Sequence, residues 1–218
     1  MKKLFFLLTL MLPAVASGQW RVGVNGGADL NHYIIDRHYQ IDYQYKDRWG
    51  VTLGLMGQYD VNDWLGIRAE VDWTQKNYRL TRPLMESFDY CYVNNYLQLP
   101  VMASFSFGGQ QVRGFFNGGV YGGYWLNSSR EGRDFNNFTN RDYDFSEKVE
   151  FNSERDRRVD FGFVGGAGVE YRFDRHWAAQ VEMRYYYSTV STQKDYTGFK
   201  DPRYHGTLAL QAGVWYCF

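Results

Sequence analysis

Leu208-Ala209-Leu210-Gln211-Ala212-Gly213-Val214-Trp215-Tyr216-Cys217-Phe218 closes the chain. Leu208, Leu210, Ala212, Val214, Tyr216 and Phe218 fall on one face, and Ala209, Gln211, Gly213, Trp215 and Cys217 on the other. A period of two over this length is the signature of a β-strand with two unlike faces. A strand of about ten residues, apolar on one side and ending in an aromatic residue, matches a transmembrane β-strand.

The same pattern recurs upstream. Val22, Val24, Ala28 and Leu30 oppose Arg21, Gly23, Asn25, Gly27 and Asp29. Val51, Leu53, Leu55 and Tyr59 oppose Thr52, Gly54, Gln58 and Asp60, and Leu65, Ile67, Ala69, Val71 and Trp73 oppose Gly66, Arg68, Glu70 and Asp72. Leu97 to Phe107, Val159 to Phe173 and Trp177 to Tyr185 repeat it, while Val112–Leu126 carries aromatics and glycines on both faces, which leaves its facing open. Eight strands result. Asn62-Asp63, Gly108-Gly109-Gln110 and Asp174-Arg175-His176 read as tight turns; Asn31–Arg48, Leu80–Cys91, Asn127–Arg158 and Ser188–Tyr204 read as long connections. Short turns on one side and long loops on the other are the habit of outer-membrane barrels. The fold expected is an all-β, eight-stranded antiparallel up-and-down transmembrane barrel.

The N-terminus agrees with that compartment. Lys2 and Lys3 precede an apolar run, Leu4 to Leu12, and then Pro13 and the small residues Ala14, Ala16, Ser17 and Gly18. This is the layout of a secretory signal, here residues 1–18, and leaves 19–218 as the barrel domain. The mean hydropathy of −0.52 is no objection, because half of each strand faces the lumen and the loops are polar. Removing Lys2 and Lys3 from 24 basic residues leaves 22 against 24 acidic ones, near −2, so nothing favours nucleic acid. Cys91 and Cys217 fall at opposite ends of this topology and are expected not to be bonded to each other. Two cysteines alone make no credible zinc site, and no cofactor pattern is present.

A soluble barrel would show the same alternation turned inside out. Two features place lipid outside. The polar face is rich in glycine, as a narrow interior holding charged side chains requires. The apolar stretch from Leu65 to Trp73 also spans roughly 20 Å along the membrane normal at a tilt of about 40°.

Tyr96-Leu97-Gln98-Leu99-Pro100 resembles the Tyr-Leu-Glu-Ile-Pro signature of the PorT-like outer-membrane β-barrel family of Bacteroidetes, with Gln98 in place of the usual Glu. Gly118-Gly119-Val120-Tyr121-Gly122-Gly123-Tyr124, Asp160-Phe161-Gly162-Phe163 and Glu182-Met183-Arg184-Tyr185 are similar to later strands of that family. The resemblance implies an outer-membrane barrel of the cell envelope. Its expected partners are outer-membrane lipid and the barrel assembly machinery, with an envelope or secretion-system protein as a further candidate. Pro100 has no N–H to give a ladder, so a bulge or a break in pairing is expected there.

On this topology Arg68, Glu70, Asp72, Arg113, Glu170, Arg172, Glu182 and Arg184 point inward as a lumenal charge network. Buried charges need partners. Glu170 and Glu182 with Arg nearby stay ionised, which suits structure better than acid catalysis. Of the histidines, His32, His38, His176 and His205, only His205 near Ser188, Ser191 and Thr207 pairs a base with hydroxyls, and no Gly-x-Ser-x-Gly pattern accompanies it. Phe135, Phe138, Tyr143, Phe145 and Phe151 lie among interleaved charges between 127 and 158 and are the candidate binding aromatics. The plainer reading of that segment is two strands extended past the membrane and joined at a solvated tip. Tyr216 and Phe218 form the assembly signal.

These features point to a monomeric, non-enzymatic barrel with a structural or interaction role, presenting its extracellular loops to a partner. The rival readings are a narrow ion or small-solute channel and an outer-leaflet lipid-modifying enzyme.

Overall fold

The computed structural model describes residues 20–35, 42–136, 138–194 and 202–218; the signal at 1–18 and His38 lie outside them. Among these residues are β1 (Trp20–Ile35), β2 (Gln44–Asp60), β3 (Leu65–Gln75), β4 (Tyr78–Arg82), β5 (Met85–Gly108), β6 (Val112–Asn136), β7 (Arg141–Lys148), β8 (Val159–Arg172), β9 (Trp177–Ser188) and β10 (Arg203–Cys217). They form one closed antiparallel ring. β3 and β4 are successive pieces of one column, since both pair with β2 and β5, and β7 and β8 share another, since both pair with β6. The ring therefore has eight columns. β1 closes it against β10 from Arg21↔Cys217 to Ile35↔Arg203, which leaves the barrel wall no edge.

Facing follows the alternation. Val24, Leu53, Leu55 (64% exposed), Ile67, Val101, Phe163, Val181, Met183 and Leu210 look outward, while Arg68 (1%), Asp72, Gln180, Glu182, Arg184 and Gln211 are buried inside. Such a distribution is destabilising in water and favourable in lipid, where the outer face has hydrocarbon for solvent. The facing of the fifth column is now settled. Phe115, Asn117 and Tyr121 are buried in the lumen, and Phe116, Val120 and Tyr124 face out. Aromatic pairs mark the turn end, with Trp20 against Tyr59 at 5.1 Å and Trp177 against Tyr216 at 5.2 Å. Tyr216 and Phe218 are exposed there, and the Phe218 amide donates to the Trp20 carbonyl across the closure at 3.1 Å.

One reading of the chain is corrected. Leu80–Cys91 is not a long loop. β4 and β5 continue through it and are joined at Pro83-Leu84, because Tyr78, Leu80, Tyr90 and Tyr92 keep a face to pack beyond the membrane. Asn127–Arg158 follows its plainer reading: most of it is a hairpin, β6 paired with β7 from Ser129↔Lys148 to Asn136↔Arg141, with Asn140 at φ 53° in its tip. Pro100 behaves as its chemistry requires: the β3–β5 ladder lapses between Ala69↔Val101 and Asp72↔Gln98 and resumes in register. A separate bulge sits between Asn95 and Tyr96 on the β6 side. Cys91 lies in the outer extension, Cys217 lies at the turn end, and both are free.

Candidate functional site

Successive inward positions of β3 and β9 carry the centre of the lumen. Arg184 grips Glu70 through two nitrogens, at 2.6 and 2.7 Å, and reaches Glu182 at 2.8 Å. Arg68 reaches Glu182 at 3.1 Å and Gln58 at 2.8 Å. Its guanidinium lies over Trp215 at 4.9 Å and over Phe115 at 5.1 Å, while the Trp215 indole donates to Gln180 at 2.8 Å. Asp72 accepts from Asn25 at 3.4 Å. Fork-shaped arginines suit such a place because each satisfies several acceptors at once.

A second cluster lies toward the turns. Arg21 bonds Glu170 at 2.6 Å and Asp60 at 3.0 Å, and Arg172 bonds Glu170 at 3.0 Å with its side chain one-third exposed. Arg113 lies beside this cluster but pairs with none of its carboxylates among the described residues. It reaches the carbonyl of Asp63 in the β2–β3 turn, because its position one residue into β6 puts it at the mouth rather than the middle. Glu170 and Glu182 fall in separate clusters, each held by arginines, so they form no acid–base couple.

A third cluster, toward the outer end, went unread in the sequence. Lys76 bonds Asp160 at 2.6 Å, with Tyr96 and Tyr121 rings 5.0 and 4.8 Å from its ammonium. Lys76 sits just past β3, where alternation breaks; Asp160 was visible as an inward residue of its strand. Ser188 donates to Asp160 at 2.6 Å. His205 is buried against Tyr33 at 4.9 Å and Tyr96 at 5.9 Å. The hydroxyl therefore serves the carboxylate rather than the imidazole, and the pairing of His205 with Ser188 as base and nucleophile is not formed. Between this cluster and the central one lies a void of about 10 Å³ lined by Asp29, Thr52, Asp72, Thr74, Gln98, Tyr186 and Thr207, room for about one water. Side chains fill the barrel. Among the described residues no group of three or more His, Cys, Asp or Glu is placed to hold a metal ion.

A membrane-spanning ring, lipid-facing apolar positions and a charge-filled core together describe an integral barrel. The model of the outer membrane protein beta-barrel domain matches residues 15–188. The chain belongs to that family. This outer-membrane barrel resembles the solved structure of OprG from Pseudomonas aeruginosa, at 11% identity and a TM-score of 0.54 over 92% of this chain and 96% of that one. Also similar are Neisserial surface protein A, at 16% identity, 93% and 98% coverage and a TM-score of 0.47, and Ail of Yersinia pestis, at 15%, 92% and 99%, and 0.46. At such identities the likeness to OprG speaks for the fold alone. No curated protein matches the barrel in sequence. It is an outer-membrane protein.

Beyond the apolar band, β2, β4, β5, β6 and β7 continue as a projecting sheet. One face is an aromatic ladder. Phe88 stacks on Tyr90 at 4.1 Å, Tyr90 meets Phe145 at 4.8 Å, Tyr143 lies 6.3 Å from Phe145, and Tyr43 lies 5.8 Å from Phe88. The opposite face is a charge ladder: Arg79 with Asp89, Arg133 with Asp144 at 3.0 Å, and Arg48 with Glu131 at 3.4 Å. The expected binding aromatics are thereby divided. Tyr143 and Phe145 join the ladder, Phe138 at the hairpin tip is fully exposed, and Phe135 pairs with Asp142 on the charged side. Phe151 leaves the group, packing on Trp125 at 4.8 Å beneath the Arg158 guanidinium at 4.4 Å.

Proposed function

We propose that this barrel is an anchor whose projecting sheet docks a partner at the cell surface, in a structural or interaction role and without enzymatic activity. One observation carries the reading: β7 is exposed at seven of its eight residues and, among the described residues, pairs only with β6. A strand with one side bonded and the other open offers main-chain donors and acceptors to an incoming chain, with Tyr143 and Phe145 beside them for specificity. The side-chain packing of the lumen supports this over a conducting pore. The finer likeness to PorT-like barrels of Bacteroidetes belongs to the same proposal, as do monomeric assembly, recognition of Tyr216 and Phe218 by the barrel assembly machinery, and an envelope or secretion-system protein as the partner.

The test shortens the hairpin by replacing Arg133–Asp144 with Asn-Gly, which joins the paired residues Gly132 and Phe145 in a two-residue turn. Cross-linking and affinity purification from native outer membranes should recover a specific protein with the intact chain and lose it with the shortened one. Equal recovery from both, or recovery of assembly machinery and lipid alone, rejects the docking role. Single-channel steps in planar bilayers would favour the pore.

A further inference from the structure

Among the described residues six carboxylates are buried against four arginine and lysine side chains. Glu70, Asp160, Glu170 and Glu182 are each joined to at least one of those cations. Asp29 and Asp72 are in none of these pairs, although they are only 1% and 2% exposed. Burying a carboxylate alone is costly, and buried charges in proteins are paired or coordinate a metal. We infer that one Ca²⁺ ion is held in the lumen between Asp29 and Asp72. This does not depend on the docking surface above.

Both carboxylates line the void of about 10 Å³ between the central and outer clusters. All seven residues around it carry a side-chain oxygen, and none is a cation. Asp29 Oδ1 is buried without a hydrogen-bond partner. Its Oδ2 accepts from the Thr52 and Thr74 hydroxyls, and the third hydroxyl of the lining, Thr207, donates to Asn31 at 2.7 Å. Each threonine has thus turned its one hydrogen to a neighbour and keeps oxygen lone pairs for a ligand. The Gln98 amide nitrogen is also buried without a partner, so no bond is lost when the amide turns its oxygen to the void.

The chemistry of the donors selects the ion. A cage of oxygens alone suits a hard cation, where zinc and copper favour nitrogen and sulfur. Asp29, Thr52, Asp72, Thr74, Gln98 and Thr207 supply at least one oxygen apiece, which meets the roughly 6–8 that Ca²⁺ takes in its flexible geometry. Mg²⁺ gives up water reluctantly and keeps several molecules of it, for which so small a void has no room. A monovalent ion leaves one buried charge unmatched, whereas a divalent one brings carboxylates and cations level. The donors belong to β1, β2, β3, β5 and β10, so the ion clasps both sides of the ring closure.

Metal analysis of the folded full chain tests this. The protein is refolded with Ca²⁺ into zwitterionic phosphatidylcholine vesicles, washed with chelator and checked for folding by heat-modifiable gel migration. About one calcium per chain should stay with the barrel and leave on unfolding. Asp29→Asn and Asp72→Asn each remove one ligand charge at nearly unchanged size and should retain less than about a tenth as much. Asp89→Asn, in the exposed outer ladder, should retain as much as the parent chain.

Urea unfolding in the same vesicles is then compared in Ca²⁺, Mg²⁺, Na⁺ and choline at equal ionic strength. A ligand held only by the folded state shifts the folding equilibrium about a hundredfold when present at about a hundred times its Kd. Ca²⁺ alone should do so with the parent chain, and no cation should do so with Asp29→Asn or Asp72→Asn. Absence of calcium from the folded barrel, equal retention by either variant, or stabilisation by Mg²⁺ or Na⁺ as large as by Ca²⁺ overturns the site. So does a barrel indifferent to every cation and steadied only by falling pH, which puts protons on the two carboxylates instead. If either variant fails to fold, calcium retention and the cation series on the parent chain decide alone.

Discussion

The lumen and the projecting sheet are held by the same chemistry in opposite surroundings. Arg184 with Glu70 and Arg79 with Asp89 are both arginine–carboxylate forks. The first pair is wholly buried, whereas the second has side chains 48% and 30% exposed. In the lumen the partners have given up water and depend on each other, so removing one strands the other. On the projecting sheet water and salt stand ready to replace either partner, and such a pair is worth little. Identical contacts thus act as a structural keystone in one region and as a solubilising, register-setting decoration in the other.

The largest test removes the keystone. Arg184→Leu should lower barrel stability by about 3–5 kcal/mol, because Glu70 and Glu182 lose their shared cation in a dry interior. Urea-induced unfolding in lipid vesicles measures it, and a loss under about 1 kcal/mol would mean that water reaches these carboxylates.

Steric crowding sharpens the same contrast. A Cβ on Gly54 would collide with the Asp72 carboxylate and stand 2.6 Å from Asn25 Oδ1, whereas one on Gly118, facing outward, meets nothing within 4 Å. Gly54→Val should destabilise by about 1–3 kcal/mol through overpacking. Gly118→Val should leave unfolding in the same vesicles nearly unchanged; equal effects at both positions would contradict the assigned facing.

The smallest effect belongs to the outer ladder. Asp89→Asn should cost at most about 1 kcal/mol at low ionic strength. The difference should vanish near 1 M salt, where the screening length is about 3 Å. The Arg79 hydrogen bond holds the Asp89 carboxyl below its ordinary value of 3.8. A carboxyl lowered by folding contributes stability above its unfolded pKa and loses it as pH falls through the folded one. The small advantage of Asp89 over Asn should therefore disappear only below about pH 4, which proteolysis of the hairpin across pH would report. A difference that persists in high salt would show the pair to be shielded from solvent.

How far the barrel was legible follows from where its periodicity runs. In β3, β8, β9 and β10 every second residue meets lipid, so Leu65 to Trp73 or Leu208 to Phe218 declare strand, facing and register without help from the rest of the chain. Past the membrane that constraint ends. The strands in Leu80–Cys91 and the hairpin in Asn127–Arg158 persist there for a different reason, cross-strand stacking of Tyr78 on Tyr92 and Tyr90 on Phe145. Partial alternation announced the second, while the mixed charged and aromatic stretch at 80–91 did not announce the first. Val112–Leu126 was ambiguous because Phe115 and Phe116, adjacent and alike, face lumen and lipid respectively.

Compartment, antiparallel barrel, the facing of most strands and a charge-filled interior are all written in the alternation of residues, because a two-residue period against lipid is a local property. Which charges meet depends on how the ring closes. Arg184 finds Glu70 114 residues away and Arg21 finds Glu170 149 residues away, and Lys76 reaches Asp160 from a break in its strand. Ring closure and shear set those distances. The cavity at the outer mouth has the same origin, since Tyr33, Trp125, Arg155 and Gln193 come together only when separate columns of the barrel are rolled into one wall.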